Sequence, residues 1–197
     1  MKPERNNKDT YRRGNRDGYR RPEPREEVEE NENQLEGRNA LTEALRSGRT
    51  IDKVFIAAGE TDRGLQRLAA EAKEAGAVVV PVDRRKLDAM STTRAHQGVI
   101  ALAAARAYFS IDDILQEAAD RGEVPLIVIC DELSDPHNLG AILRSAECAG
   151  AHGVIIPKRR SVGLTAVVAK SSAGAVEYMK VARVTNINAA IGELKEK

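Results

Sequence analysis

Leu126-Ile127-Val128-Ile129-Cys130, then Asp131-Glu132-Leu133-Ser134-Asp135-Pro136-His137, then Asn138-Leu139-Gly140-Ala141-Ile142-Leu143-Arg144-Ser145-Ala146 follow one another without a break. An unbroken apolar run, entered from Pro125, suits a central parallel strand buried on both faces. The polar stretch after it is a loop in which Asp135-Pro136 makes a rigid turn. Asn138 is a good N-cap for a helix that runs to about Ala149 and stops at Gly150. On that helix Leu139, Ile142, Leu143 and Ala146 share one face, and Gly140 lets another backbone approach closely. Arg144 lies about 140° from Leu139, off the apolar face and one turn beyond Gly140. Ligands of open α/β sheets bind outside the carboxyl ends of the strands, which makes the loop 131–137 a candidate site. The plainer alternative is a turn, a cap and a surface pair of Arg144 with Glu147 at i+3, worth a few tenths of a kcal/mol.

Strand–helix alternation extends in both directions. Upstream, Leu41, Ala44 and Leu45 predict a helix near 38–47, and Val54–Ala57 a strand. Leu65, Leu68, Ala69 and Ala72 predict a helix closed by Gly76, followed by a strand Ala77–Val80 that ends at Pro81 and another at Val99–Ala103. Ser110 caps a helix through Ile111, Ile114, Leu115 and Ala118. Downstream, Val154–Ile156 is a strand cut by Pro157, and a basic loop, Lys158-Arg159-Arg160, follows. Leu164–Lys170 is expected to be helical, Val176–Val184 extended and Ile187–Leu194 helical. The pattern is α/β throughout, in two units, 36–109 and 110–197, after a charged segment 1–35. No Walker loop and no G-x-G-x-x-G is present, so a standard dinucleotide site lacks support. An ordinary nucleotide-binding α/β enzyme would rest on fold class alone.

The net charge of +1 over 197 residues conceals a strong pattern. Residues 1–22 carry +5, 23–32 carry −5, 37–109 carry +4 and 110–197 carry −2. After Met1, residues 1–34 hold only Tyr11, Tyr19 and Val28 as apolar or aromatic residues, too few to offset the entropy of ordering, so a disordered tail is expected. Arg12, Arg13, Arg16, Arg20 and Arg21 there are candidates for RNA phosphates, with a solvated tail as the plainer reading. With 3% aromatics and no Trp, a stacking platform for single strands is nearly excluded. No apolar run reaches the roughly 18 residues of a membrane helix, and Met1 is followed by polar and charged residues rather than a secretory signal. Cys130 and Cys148 fit neither a metal pair nor a disulfide framework, so no metal is expected and a cytoplasmic setting is the default.

Asp135–Ala146 resembles the first signature motif of the SpoU (TrmH-type) RNA 2′-O-ribose methyltransferases. The resemblance continues through Ala149-Gly150-Ala151, Gly153–Pro157 and Lys170-Ser171-Ser172-Ala173-Gly174-Ala175. Gly37-Arg38-Asn39-Ala40-Leu41, Glu43-Ala44-Leu45 and His96-Gln97-Gly98 resemble the small substrate-binding domain that precedes the catalytic domain in the branch containing the 23S rRNA guanosine 2′-O-methyltransferases.

The resemblance implies an L30e-like RNA-binding domain followed by a SPOUT domain of the trefoil-knot type, S-adenosylmethionine as methyl donor, and a homodimer. It assigns Arg144 to the reacting 2′-hydroxyl and Asn138 to the geometry around it. A guanidinium stays protonated, so holding the adjacent phosphate or stabilising the developing alkoxide is physically easier for Arg144 than removing a proton. Arg38, Asn39, His96, Gln97, Lys158, Arg159 and Arg160 become RNA-binding candidates. Each has a plainer reading, such as a helix start, a half-buried strand residue or a solvated loop. The second and third motifs of the family, which form the knot and most of the donor pocket, have no counterpart up to Lys197. The expectation is therefore a truncated SPOUT domain without cofactor-binding residues of its own, with an open sheet edge and little activity as it stands. A non-catalytic RNA-binding module and a tRNA 2′-O-methyltransferase are the alternatives.

Overall fold

The computed structural model describes residues 33–59 and 61–197; residues 1–32 of the expected disordered tail, its arginines among them, fall outside the described residues. The first unit runs β1 (Gln34–Glu36), α1 (Arg38–Arg46), β2 (Ile51–Ala57), α2 (Arg63–Glu74), β3 (Val78–Val82), α3 (Arg84–Met90) and β4 (Val99–Ala103). Its four-stranded sheet has the order β1-β4-β2-β3. β4 is antiparallel to β1 and β2, and β2 and β3 are parallel. Leu41 and Ala44 of α1 and Leu65, Leu68 and Ala72 of α2 bury one face of the sheet against Val54, Val99 and Ala101. Leu87 of α3 covers the other face beside Ala57, Val82 and Ile100. Each fully buried Leu contributes about 1.5–3 kcal/mol.

Three expectations change in this unit. β1 forms from residues 34–36, two of which the charge pattern assigns to the tail, because Leu35 pairs opposite Ala101 of β4. β3 does not end at Pro81 but runs through it to Val82. β3 is an edge strand, and a proline is tolerated at an edge, where half of the backbone donors have no ladder partner. The short α3, unpredicted, is built around a single buried leucine, Leu87.

The second unit runs α4 (Ile111–Arg121), β5 (Ile127–Ile129), α5 (Pro136–Cys148), β6 (Gly153–Pro157), α6 (Ala166–Ser171), a 3-10 turn (Ala175–Glu177), β7 (Val181–Val184) and α7 (Ile187–Glu196). Ser110 caps α4 in a full capping box with Asp113, as its position suggests. The sheet is parallel, in the order β5-β6-β7. The strand expected at the centre is thus at an edge. β5 pairs only with β6 among the described residues, its three residues are half-buried, and Leu126 just before it is 49% exposed. Helices do cover both its faces, since Val128 packs toward α5 and Ile127 and Ile129 toward α4 and α7. The apolar run reflects that burial. It carries no information about which edge is paired. β6, buried at all five residues, is the central strand. The segment expected to be extended over 176–184 is broken by the 3-10 turn after Gly174 (φ 91°), and only Val181–Val184 is strand.

Candidate functional site

The loop after β5 and the loop after β6 meet at the carboxyl ends of the second sheet. Val162 N–H donates to the Leu133 carbonyl (2.8 Å), as does the Ser161 hydroxyl (3.0 Å). Arg160 reaches Glu132 at 3.4 Å. The N-cap of helix α5 lies three residues earlier than expected. Asp135, not Asn138, is its N-cap: the Asp135 carboxylate accepts from His137 N–H at 2.8 Å, and Pro136 occupies the first turn, where its missing N–H costs nothing. Asn138 is therefore helical and exposed, and its cap role is corrected. It lines an open groove of about 630 Å³ with Val128, Leu133, Ala141, Ile142 and Ser145.

Arg144 is exposed, and its guanidinium has no hydrogen bond or ion pair among the described residues. Leu139, Leu143 and Ala146 are buried, so the helix turns Arg144 away from the core as the periodicity predicts. Asn138 and Arg144 are six residues apart, which separates them by about 9 Å along the axis and about 120° around it. The two are not brought onto one face of α5.

Gly140 is where α5 and α6 touch. A Cβ there would stand 1.9 Å from Ser171 Oγ and 2.9 Å from the Ser171 carbonyl carbon. Ser171 itself donates to the Val167 carbonyl at 2.8 Å. The two separate stretches 135–146 and 170–175 thus form one packed unit.

In the first unit, Gly37 and Gln97 face each other. Gly37 is left-handed (φ 91°), as is Gln97 (φ 48°), and Arg38 N–H donates to the Gln97 side-chain carbonyl at 3.3 Å. The Arg38 guanidinium donates to the Gln97 carbonyl (3.2 Å) and pairs with Asp62 (2.7 Å). The hydrogen bond from Arg38 holds the Asp62 carboxyl below its ordinary value. His96 is 4% exposed. Its Nδ1 accepts from Gly98 N–H at 3.0 Å, so Nε2 carries the proton and donates to Asp88 at 2.9 Å. Beneath this loop, Glu36 accepts from Ser91, Thr92 and Thr93. Burial pushes the Glu36 carboxyl up, but the hydrogen bonds from Ser91, Thr93 and Thr92 outweigh it and hold the group well below the usual carboxylate range. Of the four candidates here, Gln97 and Asn39 are exposed. Arg38 and His96 brace the loop that presents Gln97, and Asn39 stands beside it in the first turn of α1.

The two units join through a polar cluster that sequence reasoning missed. Asp52 of β2 pairs with Arg183 of β7 at 2.6 Å, both side chains being nearly buried. Tyr108 donates to Asp52 (3.1 Å), accepts from Leu164 N–H (2.9 Å) and carries the Arg183 guanidinium over its ring at 5.2 Å. Arg183 also donates to the Asp52 and Lys158 carbonyls, at 3.1 and 3.3 Å. Gly163 admits the cluster, since a Cβ there would lie 2.2 Å from Asp52 Oδ2. Burial pushes the Asp52 carboxyl up, with the Arg183 charge opposing it. The available signal was one carboxylate and one guanidinium, each set inside an apolar strand. Phe109 extends the junction by donating from its N–H to the Val181 carbonyl at 2.9 Å.

Comparison with known proteins gives two family matches. Residues 34–109 match RNA 2′-O ribose methyltransferase substrate binding, and residues 125–197 match the SpoU rRNA Methylase family. A Bacillus subtilis protein named "Putative TrmH family tRNA/rRNA methyltransferase YacO" is 47% identical over 82% of this chain and 64% of its own length. A Staphylococcus haemolyticus protein of the same family description is 46% identical over 81% of this chain and 64% of its own. The chain therefore spans less than two thirds of these relatives. Among solved structures, an AdoMet-bound rRNA methyltransferase from Sinorhizobium meliloti is 23% identical, over 82% of this chain and 57% of that one, with a TM-score of 0.36. The SpoU methyltransferase AviRb from Streptomyces viridochromogenes, in complex with AdoMet, is 19% identical over 83% and 59%, with a TM-score of 0.39.

Proposed function

The chain joins a SpoU-type substrate-binding domain to a SpoU methylase domain, and from that premise we propose that the whole protein is an RNA 2′-O-ribose methyltransferase. Its methyl donor is S-adenosylmethionine and its substrate a guanosine ribose of 23S rRNA. Arg144 carries the proposal. It is a cation unpaired among the described residues and held off the core face of the helix that opens at the carboxyl edge of the sheet. A guanidinium so placed grips the phosphate beside the target ribose and stabilises the 2′-oxygen as negative charge develops on it. Asn138, a turn and a half nearer the loop, orients the nucleotide through its amide. Gln97 and Asn39 contact the RNA from the first unit, with Arg38 and His96 as braces, and Lys158, Arg159 and Arg160 meet its phosphates.

The methyl donor needs an apolar slot for its base, polar groups for the base edge and ribose, and anionic or carbonyl acceptors for its ammonium and sulfonium. None of the four grooves lined by Lys73 and Lys158, by Asp52 and Arg183, by Asn138 and Ser145, or by Lys53 and Arg160 combines these. The groove beside α5 offers only Asn138 and Ser145 as polar side chains. The depressions between the units are lined by Lys53, Lys158, Arg159 and Arg160, which repel a cationic sulfonium, and the Asp52 carboxylate, which lines the one beside Ser161 and Thr165, is already held by Arg183. The described residues do not fit the donor as a complete site. We therefore propose that residues 1–197 alone bind RNA without transferring methyl groups.

The whole protein is further proposed to be a cytoplasmic homodimer. No helix among the described residues is long and apolar enough to cross a membrane. The test of the function is methyl transfer by the whole protein to 23S rRNA and to tRNA, with the product digested to nucleosides. Appearance of 2′-O-methylguanosine in 23S rRNA supports the proposal. Methylation of tRNA alone would move the substrate, and methylation of a base would overturn the ribose assignment.

A further inference from the structure

Between the two units lies a cleft. One part, about 440 Å³, is walled by Lys73, Gly76 and Ala77 on one side and Lys158, Arg159 and Thr185 on the other. A second part, about 370 Å³, adds Lys53 and Arg160 and shares Val78, Val79, Lys158 and Arg159 with the first. Among the described residues no Asp or Glu lines either part. Lys158 crosses the gap: its Nζ stands 3.8 Å from where a Cβ on Gly76 would sit.

Five cations face one another here with little compensation. Arg160 has Glu132 at 3.4 Å, and Lys53, 5.9 Å from the Phe55 ring, feels the charge of Asp52, which Arg183 already holds. The side chains of Lys73, Lys158 and Arg159 hold no carboxylate among the described residues. Elsewhere Arg38, Arg67, Arg106, Arg121, Lys180 and Arg183 are each paired. Like charges gathered at a junction repel, and the chain keeps them there because the junction is fixed by other means. Arg183 clamps Asp52 of the first unit and the Lys158 carbonyl of the second. The walls are thus set before any ligand arrives, which lowers the ordering cost of binding.

Building on the RNA reading above, we propose that this cleft is a channel for the RNA sugar–phosphate backbone, and that Lys53 and Lys73 are RNA-contacting residues beside the basic loop 158–160. The channel is separate from the Gln97 loop. Strand β2 has Lys53 near one end and Ala57, bonded to Gly98, at the other, a rise of about 13 Å. One RNA contacting both surfaces would run along the first unit into the second. Such contacts read backbone and shape rather than bases, in keeping with the scarcity of aromatic residues.

The experiment measures binding of residues 1–197 to a 23S rRNA transcript across a salt series. The cleft variant is Lys73→Gln with Lys158→Gln and Arg159→Gln. The control, Arg46→Gln with Arg121→Gln and Lys195→Gln, removes the same charge elsewhere. The slope of log affinity against log salt should fall by about 2–3 in the cleft variant, at about 0.7–0.9 for each phosphate no longer neutralised, and stay near wild type in the control. Lys73→Arg with Lys158→Arg should keep the wild-type slope. Equal slopes for the cleft and control variants overturn the channel, and with it the phosphate contacts of Lys158 and Arg159, and leave the proposed methyl transfer standing. If the unaltered chain binds no RNA at low salt, the RNA reading itself fails and the channel with it.

Discussion

Ser171 fills the space that a side chain on Gly140 would need. Its Oγ lies 1.9 Å, and its carbonyl carbon 2.9 Å, from where that Cβ would stand. The conflict involves backbone as well as a side chain, so rotation of Ser171 alone cannot relieve it. Gly140→Ala should therefore cost about 1–3 kcal/mol, the usual range for overpacking, and Ser171→Gly in the same chain should recover only part of it. Chemical denaturation of the single and double variants measures both. An unchanged midpoint for Gly140→Ala would mean that α5 and α6 do not touch as described.

The Asp52–Arg183 pair should behave as a buried ion pair. Removing one member, as in Asp52→Leu or Arg183→Met, leaves a charge stranded and should cost about 3–5 kcal/mol. Replacing both, as in Asp52→Leu with Arg183→Met, should cost less than either single change. Thermal unfolding of the three variants decides this, and a strictly additive double variant would show that the two side chains are not partnered.

Two carboxylates should shift stability with pH in opposite directions. Glu36 is held below its ordinary value of 4.5, so its contribution is present above that pH and is lost as pH falls further. Asp52 is pushed above its ordinary value of 3.8, so the folded chain binds that proton more tightly than the unfolded one. Its contribution is greatest below 3.8 and is lost as pH rises through the raised value. Glu36→Gln should flatten the acid limb of the stability curve and cost about 2 kcal/mol at neutral pH, because Gln replaces charge-assisted hydrogen bonds with neutral ones. A Glu36→Gln variant with the wild-type acid limb would contradict the assignment.

Residues 1–197 should show no tight binding of S-adenosylmethionine by titration calorimetry. Saturable binding in the micromolar range would overturn the statement that the described residues do not form a complete donor site.

Much of this architecture is open to direct reading because helix periodicity and capping are local. Leu41, Leu65, Ile114 and Leu139 all fall on buried faces as their spacing predicts. Strand order is not local. Val128 and Ile129 announce burial equally well at a sheet edge or at its centre, and only the pairing with β6 tells the two apart. The cap of α5 is Asp135 rather than Asn138 because Pro136 sits comfortably in a first helical turn, a placement hidden when the proline is read only as part of a turn. For the candidate site, the exposure of Arg144 follows from helical geometry, as does that of the basic loop from its composition. His96 cannot be placed by its identity. Its neighbours Asp88 and Gly98 determine that it is a buried brace. The junction of Asp52, Tyr108 and Arg183 depends on residues 131 positions apart, and no local pattern encodes it.

Arg144 is the most direct test. Arg144→Ala should leave the melting temperature of the whole protein nearly unchanged, since the side chain is exposed and makes no bond among the described residues. In the same variant, formation of 2′-O-methylguanosine in 23S rRNA should fall by about a hundredfold or more, the usual loss when a preorganised electrostatic group is removed. Lys at this position should restore only part of the rate, because an ammonium cannot grip a phosphate bidentately. A variant that melts like wild type and methylates at the wild-type rate would contradict the central claim.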